Sequence, residues 1–346
     1  GGASCRGVMT DERFWDADSI GLLLVEDPDG YYGASGAEIG DDPAATAEAT
    51  LLDALANADC SGELPELIWV YQAPGQEEEI VQGLRRVVGN RCPIVGGSSA
   101  DDRVEGRWRQ LWTGGTMANG LVVAVLFPSG GLGYAFQGGH EPAGHSGIVT
   151  RIGFDRGGPS GIVTRGRGRL IAEIDGEPAS HVYNRWIGNR LDAKLAAGGN
   201  VLLDTTTCPL AIDAGQIGKV PHYLLIHPAA ITAEGGLTTF AAIEEGTRIY
   251  SMQGDTSRLI DRAGRVASEA IAMLPEGAST LAGGLMVYCA GCMLAVDDRM
   301  PDVASKVADS FGEQPFLGCF TFGEQGRILQ SNLHGNLMIS AVVFGR

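Results

Sequence analysis

Residues 67–71 read Leu-Ile-Trp-Val-Tyr, residues 77–88 read Glu-Glu-Glu-Ile-Val-Gln-Gly-Leu-Arg-Arg-Val-Val, and Pro93-Ile-Val-Gly-Gly97 follows. The first is a short apolar run of strand formers. The second has helical apolar spacing, with three acidic residues in its first turn, where they suit the helix dipole. The third is an apolar strand that runs into a glycine turn. Ala44–Ala58 has helical spacing without Gly or Pro, and Leu121–Phe127 reads as a buried strand.

The same order recurs near the C-terminal end. Leu259–Met273 is helix-like, Leu285–Tyr288 lies in an apolar run, and Pro301–Phe311 is helix-like with Pro at its tolerated N-terminal position. Pro315–Leu317 leads into Gly318-Cys-Phe-Thr-Phe-Gly-Glu-Gln-Gly326, and Leu337–Phe344 closes the unit. Two copies of helix, strand, helix, glycine turn, loop and strand predict an internally duplicated α+β protein. Its helix-strand units should pack on mixed or antiparallel sheets in two intimately associated domains. Gly1–Thr10 and Ile20–Val25 fit a third, partial copy, which predicts a closing strand at 20–25 and a segment upstream of residue 1.

Between the two copies, residues 130–255 are Gly-rich, with Ser-Gly-Ile-Val-Thr-Arg at 146–151 and again at 160–165. Residues 160–174 read as two β segments around a turn. Ala179–Leu191 looks helical, and His222–His227, Thr238–Ile243 and Arg248–Met252 read as strands. A boundary near Ser160 gives expected domains 1–159 and 160–346.

The chain has 346 residues, 44% of them hydrophobic and enough for a sizeable core. Its net charge of −17 argues against nucleic-acid or membrane-surface partners. The longest apolar run, Leu281–Val296, contains adjacent glycines and is too short to span a bilayer. Seven cysteines, an odd number, read most simply as reduced thiols in a cytoplasmic protein.

The glycine turns at Gly96-Gly97 and Gly323–Gly326 allow close backbone approach, either for tight turning or to hold an anion. Neither is a P-loop, since no Gly-Lys-Ser/Thr follows, which argues against a nucleotide triphosphatase. Asp101, Asp102 and Glu324 stand at similar offsets after the two turns. They could meet in one cleft as a carboxylate set, or cap turns and face solvent. Cys289-Ala-Gly-Cys292 lies inside an apolar run, so buried structural thiols are the default over ligand lining, redox or metal roles. His140 and His334 sit in glycine-rich turns and could anchor a ligand or hold a loop. Arg6, Arg103, Arg107, Arg109 and Arg327 follow the glycine turns, where Arg could grip an anion or pair on the surface. Trp108 and Trp112 alternate with arginines as on an exposed strand with one aromatic face.

In order and spacing these pieces resemble the FIST family of sensory modules. The N-terminal resemblance rests on Pro93–Asp102, Val122–Phe127, Gly139-His-Glu-Pro142, Ile162–Thr164 and Ile174-Asp-Gly-Glu-Pro178. The C-terminal one rests on Glu244-Glu-Gly246, Gly254-Asp255, Cys289-Ala-Gly291, Gly323-Glu324 and Leu333-His-Gly-Asn336. One departure stands out: the family often carries Arg after Cys-Ala-Gly, where this chain has Cys292. The resemblance implies a cytoplasmic sensory module without enzyme chemistry. It would bind a small molecule, such as an amino acid, and act with a histidine kinase, a diguanylate cyclase or a chemotaxis-type protein. Ligand contacts are expected from Gly97, Asp101, Asp102, His140, Cys289, Gly323, Glu324, Arg327, His334 and Asn336, in a cleft between related halves. No cofactor is expected; the alternative is a haem-based nitric-oxide sensor with His140 as axial ligand. A thiol or carboxylate enzyme and an interaction scaffold without a ligand are the remaining alternatives.

Overall fold

The computed structural model describes residues 1–16, 18–102, 105–155, 166–276 and 280–346. Arg103, the repeat at 160–165 and the expected boundary lie outside the described residues. Along the chain come β1 (Val8–Thr10), β2 (Phe14–Trp15), β3 (Tyr31–Glu38), α1 (Pro43–Asn57), β4 (Leu67–Gln72), α2 (Glu77–Val88), β5 (Ile94–Ser98) and β6 (Gly120–Phe127). Then follow β7 (Leu132–Gly138), β8 (Glu141–Asp155), β9 (Gly166–Ile174), β10 (Leu210–Ile217), β11 (Val220–Ile226) and β12 (Arg248–Gln253). The last part holds α3 (Thr256–Ala272), β13 (Leu281–Cys289), α4 (Ala290–Val296), α5 (Met300–Phe311), β14 (Phe316–Thr321), β15 (Glu324–Ile328), β16 (Ser331–Gly335) and β17 (Met338–Gly345).

Two six-stranded sheets share one plan. The first runs β16-β15-β5-β4-β6-β3 and the second β2-β1-β14-β13-β17-β7. In each, one parallel pair (β4 with β5, β13 with β14) is joined through helices and flanked by antiparallel neighbours. Each sheet borrows its outer hairpin from the other end of the chain: β15–β16 completes the first, β1–β2 the second. Alternation along β4 explains its unbroken apolar reading, because both faces are buried. Leu67 and Trp69 meet Val287, Val342 and Phe344 of the second sheet. Ile68 and Val70 face α1 and α2 on the other side. Helices α3, α4 and α5 cover the outer face of the second sheet. A third sheet, centred on β9, β8, β12, β10 and β11, has its own core with Tyr183 fully buried in it.

Local chemistry sets the helix ends. The Asp42 side chain accepts from the Ala45 amide at the start of α1, and Asp255 accepts from Arg258 at the start of α3. α1 and α2 touch through backbone: a Cβ on Gly83 would lie 2.1 Å from the Ala44 carbonyl oxygen. Gly83→Ala should therefore lower stability by about 1–3 kcal/mol in urea unfolding, although alanine is the better helix former. A neutral or stabilising result would mean that the helices separate at little cost.

The expected strand at 20–25 is absent. Ile20, Leu22 and Leu24 are 97%, 77% and 82% exposed, and residues 20–25 join none of the described sheets. Trp108 is buried rather than on an exposed face, edge-on to Phe322 at 6.2 Å. The helix expected over 179–191 ends at Trp186. The space between the two sheets, where a ligand cleft was expected, is filled by apolar side chains.

Candidate functional site

Polar groups gather instead at the carboxyl ends of β4 and β5. Gln72 and Ser98 are cross-strand neighbours there, and α2 begins above them. The Glu77 carboxylate accepts from Ser98 Oγ at 2.7 Å, the Gly75 amide at 2.9 Å and Arg169 Nη2 at 2.8 Å. Glu78 accepts from the same Arg169 nitrogen at 2.5 Å and from the Ala242 amide at 2.8 Å. His334 Nδ1 lies 3.1 Å from Glu78 Oε1. Arg169 comes from β9 and His334 from β16, so the first sheet, its helix and the third sheet meet at one point.

Burial alone would raise both carboxyls, but Arg169 and His334 outweigh it and hold Glu77 and Glu78 below the usual carboxylate range. For Arg169, burial favours loss of the proton and the two carboxylates oppose it, keeping the guanidinium charged. Hydrogen-bonding capacity remains unused at this junction. Both side-chain polar atoms of buried Gln72, and His334 Nε2, have no partner.

The two glycine turns are explained by close approach. A Cβ on Gly97 would lie 2.6 Å from Thr321 Cγ2, and one on Gly323 2.5 Å from His334 Nε2. Just beyond lies a second polar cluster. Thr321 Oγ1 donates to Glu324 Oε1 at 2.8 Å, and the Met338 amide donates to Oε2 at 3.2 Å. Burial and the neighbouring Cys289 push the fully buried Glu324 carboxyl well above its usual range. Cys289 ends β13 and precedes the first turn of α4. Its motif thus sits at a strand-to-helix junction, whereas the sequence placed it inside an apolar run. Burial raises the Cys289 thiol, but bonds from the Cys292 thiol and the amides of Cys292, Leu337 and Gly291 outweigh it and bring it down to about 7. Burial pushes the Cys292 thiol up.

The remaining expected residues are placed differently. Asp101 accepts from the amides of Glu105 and Arg107, a turn-capping role, and Asp102 is 3.6 Å from Arg6. Arg327 donates to the Arg91 carbonyl at 3.0 Å and to Gln330 Oε1 at 2.9 Å. Asn336 Oδ1 accepts from the His227 amide at 3.3 Å, while its Nδ2 has no partner. Arg6 pairs with Asp16, and Arg109 donates to the Trp108 carbonyl. Sequence reasoning missed Gln72, Glu77, Glu78, Ser98 and Arg169. In the sequence the Glu run is accounted for by the helix dipole, and residues 160–174 by two β segments around a turn.

His140 does not fit haem ligation. One ring nitrogen, Nε2, is 2.8 Å from the Thr206 carbonyl, the ring abuts Gly254, and Nδ1 is buried. The described cavities, of about 570, 260 and 260 Å³, are lined without histidine. Among the described residues, Glu77, Glu78 and His334 form a group whose ligand atoms lie within 4.8 Å of one another. Arg169 occupies both carboxylates, however, and its charge opposes a metal ion there. No helix among the described residues is long and apolar enough to cross a membrane.

Comparison with known families matches residues 1–156 to the FIST N domain and residues 179–327 to the FIST C domain. No curated protein matches the chain.

Proposed function

Because the chain belongs to the FIST family, whose domains are sensory domains associated with signal transduction, we propose that it is a cytoplasmic sensor of a small polar metabolite. An amino acid or a similar molecule would bind where Gln72, Ser98, Glu77, Glu78, Arg169 and His334 converge. The observation that carries this reading is the unused hydrogen-bonding capacity of Gln72 and His334 beside a charged, buried cluster. A ligand ammonium group would pair with the carboxylates and a ligand carboxylate with Arg169. Glu324 and Asn336 extend the same polar region toward the second sheet.

Relay follows from where the groups are anchored. Glu77 and Glu78 belong to α2, while Arg169 and Ala242 belong to the third-sheet region. A ligand that competes for these contacts changes how the two regions engage, which a histidine kinase, diguanylate cyclase or chemotaxis-type partner could read. This reading requires no catalysed reaction and no cofactor.

Thermal unfolding of the full chain against a panel of amino acids tests it. At least one should raise Tm saturably, corresponding to about 2.7 kcal/mol at a hundredfold excess over Kd. Gln72→Leu should weaken that ligand about tenfold or more, the loss of about one or two buried hydrogen bonds. If no polar metabolite shifts Tm, or if Gln72→Leu binds as well as the parent, the reading is wrong.

A further inference from the structure

We propose that the N-terminal half of α3 forms an anion site in which Arg258, Arg262 and Arg265 hold a compact phosphate-type dianion, a site that does not depend on the ligand reading above. The three arginines stand at i, i+4 and i+7, so they share one face of the helix. With Gly139 and Asp261 they line a cavity of about 260 Å³. Gly139 brings the chain just past β7 hard against the helix. A Cβ there would lie 2.7 Å from Leu259 Cδ2 and 3.7 Å from Arg262 Cβ. That close approach leaves main chain at one wall of the cavity and arginine side chains around it.

Positive charge is left over at this place, although the chain as a whole carries −17. Arg258 is neutralised, since it pairs with Glu141 at 2.6 Å and reaches Asp255 at 3.8 Å. Asp261, the one acid in the lining, pairs with Lys306 of α5 at 3.7 Å. Arg262 donates to Gln137 Oε1 at 2.6 Å, an uncharged acceptor. Gln137 in turn donates to Glu269, so that carboxylate acts on Arg262 through an amide rather than by direct pairing. Arg265 has no hydrogen bond or ion pair among the described residues. Burial, and then the nearby Arg265 and Arg258, push the Arg262 guanidinium below its usual range, with Glu269 opposing. Two like charges held side by side without a direct counter-ion are what a bound anion relieves.

Size and charge select the ligand. At about 260 Å³ the cavity falls below the roughly 300–1,000 Å³ of sites for drug-sized molecules, which argues against a whole nucleotide or a peptide. Guanidinium forks match the oxygens of a phosphate, and two uncompensated charges match a dianion. Arg262 is half-buried, which strengthens its contact with an anion, and exposed Arg265 supplies the second fork. Inorganic phosphate and the phosphate group of a small monoester share this chemistry.

Isothermal titration of the full chain with inorganic phosphate, at constant ionic strength in chloride, tests this. Binding should saturate at one site per chain. Arg265→Gln removes an exposed side chain that holds no partner, so the variant should fold, and it should weaken binding about tenfold. Arg262→Gln should weaken it by at least as much, while Arg299→Gln in the adjoining cavity should leave it unchanged. Titration with glycerol 3-phosphate identifies the source. Tighter binding than inorganic phosphate points to a monoester and weaker binding to the free ion, and both support the site. Heats that do not saturate in the parent chain overturn the proposal, as does saturable binding that survives Arg265→Gln unchanged. Preference for succinate over phosphate overturns it as well.

Discussion

Replacing Arg169 with methionine should cost about 3–5 kcal/mol of stability, because it leaves the buried Glu77 carboxylate without its counter-charge. Arg169 and Glu77 are 3% and 4% exposed at their side chains, so water cannot substitute. Glu78, at 32%, is partly screened and adds less. Urea unfolding at pH 7 measures the loss. The double change Glu77→Gln with Arg169→Met should recover part of it, since the stranded charge is then gone. A loss under about 1 kcal/mol would mean that the carboxylates find other partners. The pair also has a pH signature. Glu77 and Glu78 titrate below their unfolded value of about 4.3, so their contribution is present above that pH and fades as pH falls toward the lower folded values. Arg169→Met should therefore flatten the acid limb below about pH 4.

The second large effect comes from two buried histidines. Burial lowers His140 to about 4 and His227 to about 3, with carbonyl hydrogen bonds opposing only in part. The unfolded chain takes up protons near pH 6.5 that the folded chain refuses. Stability from these groups is complete above that value and drains away as pH falls toward 4 and then 3. At about 1.4 kcal/mol per unit, each histidine is worth on the order of 3 kcal/mol or more across its window. Glu324 works in the opposite direction, because burial keeps it protonated while the unfolded chain ionises. Urea midpoints between pH 7.5 and 4.5 should fall steeply in the parent chain. They should fall less in a His140→Asn, His227→Gln double variant. An unchanged slope in that variant would show that neither histidine is held neutral.

Elements with strong local signals were legible from sequence. The amphipathic pattern of residues 77–88 coincides with α2, and the runs at 67–71 and 121–127 fall within β4 and β6. What failed depended on partners distant in the chain. Ile20 to Val25 has the composition of a strand, but composition supplies no pairing partner, and none of the described sheets takes it in. Arg169 carries no signal of its own in the 160–174 β segments, because its carboxylate partners lie 92 and 91 residues away. Cys289 and Glu324 could be suspected from motif order, while their contact depends on how β13, β14 and β15 assemble. The expected pairing of Asp101 and Asp102 with Glu324 has no counterpart among the hydrogen bonds described above, since Asp101 caps a turn and Glu324 is sealed inside.

The exchange of outer hairpins has a consequence for how this protein is made. Strand β5 is synthesised early, yet β15, which covers its edge, follows roughly 230 residues later. At ribosomal speed that interval lasts about 10–45 s. Throughout it the first sheet presents an unpaired edge, the kind of surface that invites association between nascent chains. Closure of the first sheet therefore waits for β15 and β16 to emerge, rather than for completion of the first helix-strand unit.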